Sequence, residues 1–168
     1  MKIGIVVDGD AESQALKLLT RRLQIPDIEI LDPIFASMQP KSSPEQIARA
    51  AKTAISMLQR RGVELIIVLI DREDRDECCG QWAAALENAF QYLNSVAVRV
   101  AVKNRKLENW LIADPSAFER QRARYVLNRR FYNAVISNKA DNVTDAEKLI
   151  TALLAVKSNI TNDGMHLK

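Results

Sequence analysis

The sequence predicts an α/β protein: a doubly wound, mostly parallel sheet with a helical C-terminal part. Three observations predict it. Strand-like and helix-like stretches alternate from residue 2 to residue 102, the order that places crossover helices on both faces of a parallel sheet. The run ELIIVLI at 64–70 is nearly continuous in apolar, mostly β-branched residues, as a strand buried on both faces must be. After residue 102 the apolar spacing becomes helical or sparse.

KIGIVV at 2–7 reads as a first buried strand. SQALKLLTRRL at 13–23 places Ala15, Leu16, Leu18, Leu19 and Leu23 at helical spacing. DIEIL at 27–31 alternates and reads as a strand, and residues 32–43, rich in proline and serine, read as a loop. At SPEQ, Ser43 is a helix N-cap, Pro44 fits the first turn and Gln46 completes a capping box. That helix runs to about Arg61, where Gly62 ends it. After the strand at 64–70, QWAAALENAFQYL at 81–93 is a helix with Trp82, Ala85, Leu86, Ala89 and Leu93 inward, and SVAVRVAV at 95–102 is a strand. LENWLIADPSAF at 107–118 reads as a short helix stopped near Pro115, with Trp110 in the core. Residues 119–142 are basic with few apolar anchors, and TDAEKLITALLAV at 144–156 is an amphipathic helix capped by Thr144. The expected organisation is a core over 1–118 and a basic, helical extension of it over 119–168.

Composition narrows the chemistry. The chain has 168 residues, 48% of them apolar, enough for one domain with a real core. It has no apolar run of 18 residues and no secretory layout at MKIGIVVDGD, so a cytoplasmic protein with no membrane partner is expected. A single histidine, His166, and one adjacent cysteine pair, Cys78 and Cys79, argue against histidine catalysis and against zinc. The acidic surroundings of the two cysteines argue against an easily formed thiolate. The chemistry falls to carboxylates, lysines, arginines and hydroxyls.

The carboxylates stand where strands end. Asp8, Asp10 and Glu12 follow the first strand, and Asp71, Glu73, Asp74, Asp76 and Glu77 crowd behind the strand at 64–70. Open parallel sheets bind ligands beyond the carboxyl ends of their strands. If these two strands are neighbours, Asp8 and Asp71 lie side by side, and such repulsion needs a cation to neutralise it. Carboxylates without histidine suit Mg²⁺ or Mn²⁺. The competing expectation is a solvated acidic loop balanced by Arg72 and Arg75. Behind this acidic focus, eight basic residues and three acids fall between Lys103 and Arg130, a pattern that suits a polyanion or a solvated helix face. QRARYVLNRRFY at 121–132 interleaves bases with aromatics, as phosphate contact would require.

VVDGDAES, LIDREDRDEC and VRVAVKNRKLENWLIADPSAF together resemble the TOPRIM domain, and more narrowly its OLD-like branch from bacterial and phage-defence gene clusters. The resemblance covers about residues 3–118. TOPRIM domains carry a glutamate-glycine turn after the first strand and Asp-x-Asp after the third, and the OLD-like branch adds a glutamate before Trp-Leu-x-Asp. By that resemblance Asp8 stands for the first glutamate beside Gly9, with Glu12 further on. Asp71 and Glu73 stand for Asp-x-Asp, with Asp76 a further acid, and Glu108 precedes Trp110, Leu111 and Asp114. Asp8 for Glu and Glu73 for Asp depart from the pattern, which puts activity in question more than fold.

The resemblance implies a TOPRIM/Rossmann-like fold and metal-dependent phosphodiester hydrolysis of nucleic acid. Asp8, Asp71, Glu73 and Asp76 would be the metal ligands, and Asp8, Glu12, Lys103 and Glu108 would carry catalysis. Arg105, Lys106, Arg122, Arg124, Arg129 and Arg130 would contact nucleic acid, with an ATPase or another defence-system protein as partner. Three alternative readings fit the same residues. A receiver-type signalling domain would use Asp8, Asp10, Asp71 and Lys103, although Asp8 and Asp71 are far apart in sequence for that fold. A haloacid-dehalogenase-like phosphatase would use Asp8 and Asp10 but lacks the usual DxDGT turn. A degenerate TOPRIM-like subunit would bind metal weakly and work through a partner protein.

Overall fold

The computed structural model describes residues 1–23, 25–73, 75–92, 95–135 and 140–163. Leu93, placed inward by its spacing, and His166 lie outside the described residues. The chain packs as two compact units, residues 1–104 and 105–168. The first is the α/β unit the alternation predicts. Its described strands, β1 (Lys2–Val7), β2 (Glu29–Ile30), β3 (Ile34–Phe35), β4 (Leu65–Asp71) and β5 (Ala97–Lys103), form one sheet. Every strand pair among them is parallel, in the order β2-β1-β4-β5, with β3 also on β1.

β4 pairs with β1 over Ile3 to Val7, so β2 and β3 share the opposite edge of β1. That edge corrects the loop expected at 32–43, because Ile34 and Phe35 resume pairing with Val6 and Val7. Each pairing on this edge spans only two residues, too few to show a period in the sequence.

Helices cover both faces. On one, α2 (Pro44–Arg60) and α3 (Cys79–Gln91) bury Ile55, Leu58, Trp82, Leu86 and Phe90 against Val6, Ile66, Val68 and Ile70. On the other, Leu16 of α1 (Asp10–Thr20) packs with Ile5, Val7 and Leu69. The start of α2 is as read: Ser43 caps, Gln46 returns the bond and Pro44 opens the first turn. Its end is set by Gly62 at φ +74°, a conformation L side chains rarely adopt. Gly4 answers a different need, since a Cβ there would lie 2.8 Å from a Leu58 methyl. It lets α2 press closely on β1.

The second unit comprises α4 (Leu107–Ile112), α5 (Pro115–Glu119), α6 (Arg129–Val135), a 3-10 turn at Ala140–Asn142 and α7 (Ala146–Asp163). The helix from Leu107 does stop ahead of Pro115, and two other expectations are corrected here. Pro115 starts a helix of its own, because the Asp114 side chain accepts from the Ser116 N–H and caps it. Residues 119–142 do carry anchors: Phe131 and Val135, one turn apart on α6, are buried with Ile112, Phe118, Ala146 and Leu153. Trp110 is not core. Asn109 and Ile112 take the inward face of α4, which leaves Trp110 46% exposed beside an exposed Leu111.

Candidate functional site

The carboxyl ends of β1, β4 and β5 bring four charged side chains together. β1 and β4 are neighbours, so Asp8 follows one strand beside Asp71, the last residue of the other. The Asp71 backbone N–H donates to Asp8 Oδ2 at 2.9 Å. Glu12 returns over the same strand ends because the first turn of α1 follows immediately after Gly9. Lys103, the last residue of β5, stands in register with Asp71. Its Nζ is 2.7 Å from Asp71 Oδ1 and 3.4 Å from Asp8 Oδ1, and it also bonds Glu12 Oε1.

This cluster is secluded. Lys103 is fully buried, and the side chains of Asp8 and Glu12 are nearly so. Isolated charges in such a place would be costly, and mutual pairing is what makes them tenable. One ammonium thus faces three carboxylates. Among the described residues, the buried Glu12 Oε2 has no hydrogen-bond partner. One oxygen from each of Asp8, Glu12 and Asp71 falls within 4.8 Å of the others, so the three could hold a metal ion. An orphaned carboxylate oxygen and all-oxygen donors fit a hard cation.

Of the remaining candidates, Glu73 and Asp76 lie on the loop after β4, outside this cluster. Glu73 has φ +52°, a left-handed turn that few non-glycine residues adopt. Asp76 is exposed, and Asp74 lies outside the described residues. Asp10 is exposed and accepts from Gln14. Glu108, Arg105, Lys106, Arg122, Arg124, Arg129 and Arg130 belong to the second unit. There Arg105 donates to the Asp141 carbonyl, while Arg122, Arg124, Arg129 and Arg130 are exposed.

The acidic loop is not merely solvated. Arg72 Nε donates to the Arg75 carbonyl at 2.7 Å, and its NH1 donates to Asn104 Oδ1 at 2.8 Å. Arg75 reaches the Pro40 carbonyl at 2.6 Å, pairs with Glu77 and lies 4.8 Å over the Trp82 ring. The two arginines therefore fasten the loop to its surroundings, a role that counting charges cannot show. The reading of the cysteines also changes. The N–H groups of Gln81 and Gly80 at the start of α3, with a smaller contribution from Arg72, hold the Cys78 thiol below its ordinary pKa.

Glu12 as a possible further ligand is within the sequence reading, whereas Lys103 as the hub that joins Asp8, Glu12 and Asp71 is the role that sequence reasoning missed. A signal existed for each. Glu12 falls one helical turn after the strand end, and parallel pairing places the ends of the adjacent strands 65–71 and 97–103 together. No protein-family model, curated protein or solved structure matches the chain.

Proposed function

We propose that the chain is a divalent-metal-dependent nuclease, or the nuclease subunit of a larger assembly, of the TOPRIM-like, OLD-type kind. The observation that carries this reading is the largely secluded cluster Asp8, Glu12 and Asp71 at adjoining strand ends, with the orphaned oxygen of the buried Glu12. These three residues would hold Mg²⁺ or Mn²⁺, which when bound offsets the charge of a phosphodiester and acidifies water. Lys103 orients the three carboxylates and supplies a fixed positive charge beside the reacting phosphate. Secluded strand ends keep bulk water from screening these charges. The basic residues of the second unit, from Arg105 to Arg130, would supply contacts to the nucleic-acid backbone. A role in phage defence, with an ATPase partner, follows only from the family resemblance.

The test is a calorimetric Mn²⁺ titration of wild type and Asp71→Ala, with plasmid nicking followed in the same buffers. Binding and nicking that both disappear in the variant support the reading. Unchanged Mn²⁺ affinity in Asp71→Ala would sink the metal assignment. A second reading, a phospho-acceptor domain, draws on one observation: the 2.7 Å contact of Lys103 with Asp71, which a receiver-type site also uses. Incubation with acetyl phosphate distinguishes the two, because only the second reading expects a mass increase that Asp71→Ala abolishes.

A further inference from the structure

The second unit contains a cavity of about 330 Å³ lined by Glu119, Arg122, Tyr125, Val126, Leu127 and Tyr132. It lies near the lower end of small-molecule pockets, which run from roughly 300 to 1,000 Å³. Its two tyrosine rings are braced by buried aromatics. Phe118 meets Tyr125 edge-on at 5.1 Å, and Phe131 meets Tyr132 edge-on at 5.9 Å. The Tyr132 hydroxyl donates to Glu119 Oε1 at 2.5 Å, which fixes the ring further while leaving the residue 39% exposed. Rings held this way lose little freedom when a ligand stacks on them. Arg122, in the same lining, is exposed. Residues 105–168 carry eleven lysines and arginines against seven acids.

We propose that this cavity is a nucleobase pocket: one unstacked nucleotide of a single strand lies against Tyr125 and Tyr132, with its phosphate on Arg122. Planar faces, a nearby guanidinium and a net positive unit are what single-strand recognition uses, since every base has a π-face and every nucleotide a phosphate. The Glu119 carboxylate adds an acceptor for an exocyclic amino group or a ring N–H. A duplex keeps its base faces stacked and cannot offer them here. The proposal goes beyond the nuclease reading by fixing the substrate form, and it needs no metal.

The experiment is fluorescence anisotropy of the full chain with a short fluorescein-labelled oligonucleotide, single-stranded or annealed to its complement, in EDTA. The single strand is expected to bind about tenfold more tightly than the duplex, and Tyr132→Ala to weaken it about tenfold. Arg122→Ala should flatten the dependence of log affinity on log salt by about one unit. Circular dichroism confirms that each variant is folded. Equal affinity for both strand forms, or wild-type affinity in folded Tyr132→Ala, overturns the proposal. So does inorganic phosphate competing as well as adenosine monophosphate, which would leave only an anion site at Arg122. Because EDTA removes every divalent ion, failure here does not touch the metal reading, and failure of the Mn²⁺ titration does not touch this one.

Discussion

The two units handle charge in opposite ways. In the first, the decisive ionic groups are withdrawn from water and joined to one another: Lys103, Asp8 and Glu12 are all nearly inaccessible. In the second, Arg122, Arg124, Arg129 and Arg130 stand in solvent, and stability comes from an apolar cluster built on Ile112, Phe118, Phe131 and Leu153. The same residue types thus carry different consequences. A buried charge is held in one geometry and depends on its partners, whereas an exposed one is screened and replaceable. Position-specific chemistry belongs with the first arrangement, and delocalised attraction for a polyanion belongs with the second.

The largest break in that comparison comes from Lys103→Met. The methionine retains most of the aliphatic length but leaves three carboxylates facing one another without their shared ammonium. Removing one partner from a buried charge cluster costs about 3–5 kcal/mol, and urea unfolding should show a loss of that size. Millimolar Mn²⁺ should return part of it, because a divalent cation replaces the missing charge. A loss below about 1 kcal/mol, typical of exposed pairs, would mean the cluster is solvated in solution.

An intermediate case sharpens the same contrast. The Arg75 side chain is only 18% exposed, donates to the Pro40 and Ser42 carbonyls and lies over Trp82. Arg75→Ala removes hydrogen bonds made by a charged donor, for which a loss of about 1.5–3 kcal/mol in urea unfolding is expected. It should also change the Trp82 fluorescence, since the indole loses the cation above it. An unchanged emission spectrum would mean that the loop is not held by this residue in solution.

The first unit was more legible than the second for a physical reason. Buried strands must be continuously apolar and their helices amphipathic, so residues 65–71 and 44–60 announce themselves, down to the Ser43–Gln46 capping box. Adjacency of Asp8 and Asp71 followed from strand neighbourhood alone. The cluster around Lys103 was not legible as a whole, because Glu12 and Lys103 meet only through tertiary pairing of separate elements. The two-residue pairings of β2 and β3 are too short to establish a period. In the second unit short helices gave little periodicity. Phe131 looked like one aromatic in an arginine-rich stretch, and Trp110 looked like core only because size was read without its place on a two-turn helix.

The smallest effect belongs to Arg120, and it tests the other half of the comparison. Arg120 is well exposed, pairs with Asp114 at 3.5 Å and donates to Ser116 Oγ at 2.9 Å. Asp114 is held below the usual carboxylate range first by its hydrogen bond with Ser116, with the charge of Arg120 a smaller cause. The folded value is below the unfolded one, so whatever stability this carboxylate contributes is present above the unfolded value and disappears as pH falls through the folded one. Arg120→Ala should therefore leave both the unfolding midpoint and most of the depression at Asp114 in place, whereas Ser116→Ala should return Asp114 toward its ordinary value. Carboxyl-carbon NMR titration of the two variants measures this directly. If Arg120→Ala raised Asp114 more than Ser116→Ala did, exposed charges in this unit would be coupled as the buried ones are, and the contrast between the units would narrow to one of degree.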